Sequence, residues 1–220
     1  MKREIRITGD GSSTIHIPDL DEQYHSKHGA INEAYHVFIA MGFNAVSVEN
    51  TRVLEVGFGT GLNSFITLLE AEKQDRKVSY VGLEAYPVTP EEVSHLNYVE
   101  TLDAAKHVDD FKKMHGCSWE EAHQITPHFL LTKRQQKFAD ITDDNAFDLV
   151  YYDAFGSRVQ PELWGEEIFA IMYKALAKGG VLVTYAAKGS ARRAMQAVGF
   201  EVERLPGPPA KREMLRATKK

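Results

Sequence analysis

Five residues carry the spacing from which chemistry can be read: Gly57, Gly59 and Gly61 at alternate positions, Glu84 further on, and Asp153 further still. The glycines stand between an apolar run, Arg52-Val53-Leu54-Glu55-Val56, and a helical pattern that opens at Leu62. Glycine at such a corner permits positive φ and lets a ligand approach the backbone closely. Free N–H groups at the new helix start then face that ligand. The corner is the nucleotide-binding turn of an open α/β sheet, and the residues around it decide which nucleotide.

A dinucleotide fingerprint needs a third small residue three positions after the second glycine, to pack helix on strand around a pyrophosphate. Counted from Gly59 that position is Leu62, too large for the role, and no lysine follows as in a P-loop. The next apolar run, 78–84, ends in Glu84, about 20 residues beyond the loop, where an acid hydrogen-bonds the hydroxyls of an unphosphorylated ribose. The combination favours S-adenosylmethionine.

The elements that must position these residues follow from periodicity. Segments 3–8 and 13–17 flank Gly9-Asp10-Gly11-Ser12 and predict a β-hairpin, and 30–43 a helix with Ile31, Ala34, Tyr35, Phe38 and Met41 on one face. Core strands are expected at 52–57 and 78–84, with a helix from Leu62 to about residue 72 between them. Thr89-Pro90-Glu91-Glu92 opens a helical stretch over 90–125. A ribbon of 129–132 and 137–140 ends as the third strand, with Asp140 at its tip, and 147–153 is a fourth strand ending in Asp153. A helix at 166–177 stops at Gly179-Gly180; strands at 181–185 and 200–205 flank a short helix at 191–197. The return at 213–218 is too short for a helical crossover, so it runs antiparallel. The expectation is one domain over 1–220: a Rossmann-like, seven-stranded mixed sheet over 51–220 with a reversed last strand, and a hairpin, lid and helix over 1–50.

Cys117 is the only cysteine, which excludes an intrachain disulfide and a multi-cysteine zinc site. It also argues against a pyrimidine-carbon methylation that needs an enzyme thiol. His115, Cys117 and His123 are not at metal-ligand spacing, so no metal is expected. No apolar run of membrane length and no signal-peptide pattern occur, so a cytoplasmic protein without membrane attachment is expected. Residues 1–185 carry 17 Lys/Arg against 28 Asp/Glu, whereas 186–220 carry 9 against 3. A basic end on an acidic body suits a local contact with a polyanion.

Gly57-Phe58-Gly59-Thr60-Gly61-Leu62-Asn63, Tyr152-Asp153-Ala154-Phe155, Pro161-Glu162-Leu163-Trp164 and Lys211-Arg212-Glu213-Met214-Leu215 together resemble the methyltransferase domain of the MnmC family, also found alone as MnmD. The resemblance runs from about residue 21 to 215. It implies a class I fold and methyl transfer from S-adenosyl-L-methionine to the amine of 5-aminomethyl-(2-thio)uridine at wobble position 34 of tRNA. By motif position, Glu55, Gly57, Phe58, Gly59, Thr60, Gly61 and Asn63 would surround the donor's methionine part. Glu84 would hold the ribose and Asp140 would face the adenine amino group, with a plain helix N-cap as its other reading, while Asp153 would meet the donor's or the substrate's amine and act as the catalytic acid–base group.

Phe155 would wall the substrate pocket, Trp164 would wall it or pack in the core, and Tyr24 and Ser26 would belong to a lid, with a plain polar loop as the other reading. Lys188, Arg192, Arg193, Lys211 and Arg212 would meet tRNA phosphates. Bifunctional members continue into an FAD-dependent oxidoreductase domain, so a separate enzyme is expected to supply the aminomethyl precursor. Two departures are Ala154, where glycine is common, and Ala85, where many members have lysine. A methyltransferase of a small-molecule or protein amine is the alternative reading; a dinucleotide oxidoreductase is disfavoured by Leu62.

Overall fold

Alternating burial along the chain sets the architecture, seen in a computed structural model that describes residues 2–220. The N-terminal hairpin is β1 (Glu4–Ile7) and β2 (Ser13–Ile17), extended by a two-residue strand, β3 (Glu22–Gln23), into a small antiparallel sheet. Helix α1 (Ala30–Ala34) runs on as a wider π-type turn through Ala40. Then come β4 (Asn50–Val56), α2 (Leu62–Lys73) and β5 (Lys77–Leu83). The helical stretch divides into α3 (Pro90–Ser94), with the expected capping box of Thr89 and Glu92, α4 (Tyr98–Thr101) and α5 (Val108–Gly116). A ribbon of β6 (Ala122–Thr126) and β7 (Phe129–Arg134) follows, then β8 (Phe147–Tyr152) and α6 (Glu166–Ala175). The chain closes with β9 (Leu176–Thr184), α7 (Gly189–Ala197), β10 (Glu201–Pro206) and β11 (Glu213–Thr218).

The large sheet has eight strands in the order β10-β11-β9-β8-β4-β5-β7-β6. β4 lies parallel to both β5 and β8, and β11 is antiparallel to β9 and β10, as the short return requires. Val53, Tyr80, Leu149 and Tyr151 face one core, which the π-type turn after α1, helix α2 and helix α5 cover through Phe38, Phe65 and Phe111 respectively. Leu54, Val56, Val150 and Tyr152 face the other, which α6 and α7 cover through Phe169 and Met195. The period of two puts sequence neighbours on opposite faces. The chain leaves β4 for β5 on one side and later lays β8 on the other. This reversal opens a crevice at the carboxyl ends of β4, β5 and β8, where ligands of open α/β sheets bind.

Three expectations are corrected. The third parallel strand is 129–134, not 137–140; residues Phe138–Asp140 form a single 3-10 turn. The misreading comes from Lys133, taken as a polar turn residue. It is an inward position of β7, 1 % exposed, its Nζ donating to the His115 carbonyl at 2.7 Å and lying 4.9 Å from the Trp119 ring centre. The edge strand β6, placed by sequence in the helical stretch, makes the sheet eight-stranded rather than seven-stranded. In the third case Gly179-Gly180 does not end a helix: α6 stops at Ala175, and the glycines bulge out within β9, where pairing jumps from Leu176 to Val181.

Candidate active site

Val56 ends β4, and the next two residues bind back to β5: the Gly57 and Phe58 amides both donate to the Leu83 carbonyl, at 3.1 and 2.8 Å. Gly57 has φ +100°, and a Cβ there would stand 2.6 Å from the Asp153 carbonyl oxygen. Glycine is therefore required on two counts, conformation and space. The Gly61 amide donates to the Phe58 carbonyl at 2.8 Å, tightening the turn before α2 begins.

Glu84 closes this loop from the next strand. Its Oε2 accepts from the Gly59 amide at 3.0 Å and its Oε1 from the Tyr86 amide at 2.8 Å. Each carboxylate oxygen keeps capacity for a further donor. Asp153 follows β8, its amide donating to the Val56 carbonyl at 3.0 Å. Its Oδ2 accepts from Asn63 Nδ2 at 2.8 Å, and the same nitrogen donates to Glu55 Oε1 at 2.9 Å. Burial raises the Asp153 carboxyl to about 7, and the negative charge of Glu33 adds to the rise; Asn63 and Lys211 oppose it.

These groups border one cavity of about 820 Å³. Gly57, Phe58, Gly59, Thr60, Asn63, Glu84 and Asp153 line it, and so do Tyr24 and Phe155, whose rings meet edge to face at 5.3 Å. The N-terminal sheet forms one wall. Arg3 reaches the Tyr86 carbonyl at 2.7 Å and Glu92 at 3.1 Å, so the first strand is fastened to the segment after Glu84. Asn97 receives the Ser13 amide at 2.7 Å and donates to the Gly11 carbonyl at 2.9 Å. His25 also lines the cavity, between the Thr14 and Thr60 hydroxyls at 3.0 and 3.3 Å; burial lowers it to about 4, so the ring is neutral.

Other expected site residues lie elsewhere. Asp140 is exposed on the 3-10 turn and does not border the cavity; its neighbours Phe138 and Ala139 do. Ser26 takes the His28 amide outside the cavity. Trp164 is a buried prop, not a wall: its Nε1 donates to the Phe155 carbonyl at 2.8 Å and its ring stands 5.2 Å from that of Tyr152. Glu55 is fully buried beneath the floor, and Gly61 sits at the start of α2. Lys211 is held by Glu33 at 2.5 Å and lies 4.0 Å from the Tyr185 ring centre, so it is not free for a phosphate. Lys188 donates to Ser157, Arg192 is half-buried, and Arg212 is exposed. Arg3, Glu33 and Glu162 were not foreseen near the site; a lone charge in an N-terminal strand or a helix carries no sequence signal of what it will face.

A family profile described as S-adenosyl-L-methionine-dependent methyltransferase matches residues 112–220. The bifunctional protein MnmC of tRNA 5-methylaminomethyl-2-thiouridine biosynthesis from Actinobacillus pleuropneumoniae serotype 5b is 28 % identical over 89 % of this chain and 32 % of its own length. The corresponding protein of Aromatoleum aromaticum is 30 % identical over 88 % of this chain and 32 % of its own. The crystal structure of MNMC2 from Aquifex aeolicus superposes with a TM-score of 0.78 at 25 % identity, covering 100 % of this chain and 70 % of that one.

The chain carries a methyltransferase domain of the MnmC type.

Spermidine synthase from Thermotoga maritima, with a TM-score of 0.51 and 16 % identity over 95 % of this chain and 69 % of that one, shares the fold alone. The chain spans about a third of the length of the curated MnmC proteins it matches, 32 % for the two named above. The methyl donor of this MnmC-type domain is S-adenosyl-L-methionine, and the residues present fit it. The missing Cβ of Gly57 leaves the loop open to close approach, Glu84 offers acceptors for a ribose diol, and Asn63 Oδ1 is buried with no partner. Among the described residues, no group of three or more His, Cys, Asp or Glu is placed to hold a metal. No helix among them is long and apolar enough to cross a membrane.

Proposed function

We propose that the chain methylates the primary amine of 5-aminomethyl-(2-thio)uridine at wobble position 34 of tRNA. The observation that carries this reading is Asp153: an acid on the cavity wall, raised to about 7, beside the Phe155 and Tyr24 rings. The names of the MnmC relatives support the choice of substrate.

An alkyl ammonium loses its proton near ~10.4 in water, so at neutral pH the substrate arrives unreactive. Transfer to the cavity wall disfavours the charged amine. Asp153 accepts a hydrogen bond from the amine, orients its lone pair and takes a proton released on alkylation. When bound, the sulfonium donor supplies an electrophilic methyl group. Tyr24 and Phe155 stack on the flipped uridine and keep water from the amine. Gly57, Gly59 and Asn63 receive the methionine part of the donor, and Glu84 its ribose.

Exposed Arg193 and Arg212, with Lys188 and Arg192 near them in sequence or in the basic end, contact tRNA phosphates. Residues 1–50 and 51–220 work as one catalytic unit, because the N-terminal sheet completes the cavity wall. The reaction takes place in the cytoplasm.

The test incubates the protein with methyl-labelled S-adenosyl-L-methionine and tRNA bearing 5-aminomethyluridine. Label in the wobble nucleoside is the expected result. Inert tRNA, with label in a protein or small-molecule amine, would select the alternative substrate class.

A further inference from the structure

We infer that Arg158 takes a phosphate of the RNA backbone at the rim of the cavity, while one of its nitrogens straps that rim together. The inference rests on the tRNA reading above and names one contact within it.

Arg158 Nη2 donates to the Leu20 carbonyl at 3.3 Å, the Asp21 carbonyl at 2.9 Å and Glu22 Oε2 at 3.2 Å. Asp21 closes the 3-10 turn Pro18–Leu20 in the left-handed region, at φ +46°, and there two successive carbonyls reach the same nitrogen. Leu20 lines the cavity on one side of this contact. Phe155 and Gln160, which flank Arg158 in sequence, line it on the other. Arg158 itself does not border the cavity, and its side chain is 64 % exposed. It bridges the rim from outside.

A guanidinium carries N–H groups on three nitrogens, one on Nε and two on each Nη. The strap uses Nη2 alone; Nε and Nη1 of Arg158 have no acceptor among the described residues. Arg3, which also fastens the N-terminal sheet, differs. Its side chain is 16 % exposed, and both terminal nitrogens are spent on the Tyr86 and Pro87 carbonyls and on Glu92. Arg3 is fully engaged, whereas Arg158 keeps donors for a second acceptor. Glu22 is a weak competitor for them, because an ion pair this exposed contributes about 0–1 kcal/mol.

Charge decides what that acceptor is. Inside the cavity Asp153, Glu162 and Glu167 repel a phosphate and suit a cationic amine. Outside it, Lys188 Nζ donates at 3.0 Å to Ser157 Oγ, the neighbour of Arg158. Arg193 Nη1 lies 3.3 Å from where a Cβ of Gly189, the neighbour of Lys188, would stand. Arg193, Lys188 and Arg158 therefore form a row of cations that ends at the rim. A nucleic-acid backbone following the row meets Arg158 last, with the wobble nucleoside turned into the cavity and its phosphate left outside.

The test titrates the full chain with an anticodon stem-loop RNA bearing 5-aminomethyluridine, by fluorescence anisotropy at several salt concentrations. Arg158→Gln should weaken binding about tenfold and reduce the slope of log K against log salt by about 1. Glu22→Gln releases Nη2 and should strengthen binding about two- to fivefold. That gain should vanish when Glu22→Gln is made in the Arg158→Gln background. A strap with a structural role alone would make the two single variants act alike, which would overturn the inference. Lys178→Gln removes one exposed charge from the bulge of β9, at the far end of that strand from the cavity, and should keep the wild-type slope. An equal loss in Lys178→Gln would reduce the effect to net charge and overturn the inference as well. Wild type that binds no RNA overturns the tRNA reading and the inference together. Wild type that binds, beside an Arg158→Gln variant of unaltered affinity and slope, overturns the inference alone.

Discussion

Lys211 and Glu33, 178 positions apart in sequence, meet at 2.5 Å beside the cavity, and the ammonium also lies over the Tyr185 ring. The pair joins the segment before the last strand to α1, and its two charges act on Asp153 with opposite sign. Lys211→Ala leaves Glu33, which is 8 % exposed, buried without its cation. The expected loss is about 1–3 kcal/mol of unfolding free energy by urea titration, with the m-value unchanged. A loss below about 0.3 kcal/mol, typical of a surface pair, would mean that the pair does not persist in solution.

Asp153 gives a pH signature with a definite sign. Its folded value of about 7 lies above the ordinary carboxyl value of 3.8, so ionisation opposes folding. Asp153→Asn keeps an acceptor for Asn63 and removes that ionisation. Its thermal midpoint should exceed that of wild type by an amount that grows from about pH 4 to about pH 7 and then levels off. A difference independent of pH would contradict the raised value. In turnover, wild-type kcat should rise through about pH 7, and the Asn variant should lose at least about a hundredfold in kcat. Its S-adenosylhomocysteine affinity should change far less.

Gly57→Ala tests the loop. The new methyl carbon would lie 2.6 Å from the Asp153 carbonyl at φ +100°. Backbone conformation alone costs about 1–3 kcal/mol. The contact also pushes the β8 end away from the loop, so isothermal titration should show donor binding abolished in whatever fraction folds. Binding at wild-type affinity would show that the loop has another conformation.

Arg212 is exposed and has no ion pair among the described residues, unlike its neighbour Lys211. Arg212→Gln should weaken tRNA binding and reduce the slope of log K against log salt by about 1, with S-adenosylhomocysteine affinity unchanged. An unaltered salt slope would place the RNA on another face.

The crevice was legible because each of its parts is local. Gly57 is specified by its own backbone angle, Glu84 by the strand that ends at it, and Asp153 by the apolar run before it. The reversal of the last strand was legible from the short connection alone. Failure came where a charged side chain is inward. Lys133 breaks the apolar alternation of β7 and displaced the third strand by eight residues at its start, from 129 to 137. Asp140 was lost with it, since its expected role depended on ending that strand. The Glu33–Lys211 pair and the Arg3 fastening were invisible for a different reason: partners separated by most of the chain leave no periodic trace. Trp164 shows a third limit, because composition does not distinguish a ring that faces a ligand from one that supports the residue facing it.

The fastening of Arg3 to Tyr86 and Glu92 has a consequence for biosynthesis. Because Arg3, just ahead of β1, attaches to residues made some eighty positions later, β1 lacks that anchor until the later stretch has been synthesised. A proteolytic cut just ahead of β2 would spare the eight-stranded sheet and take Arg3 alone from the cavity wall, leaving the Tyr86 carbonyl and Glu92 without their clasp.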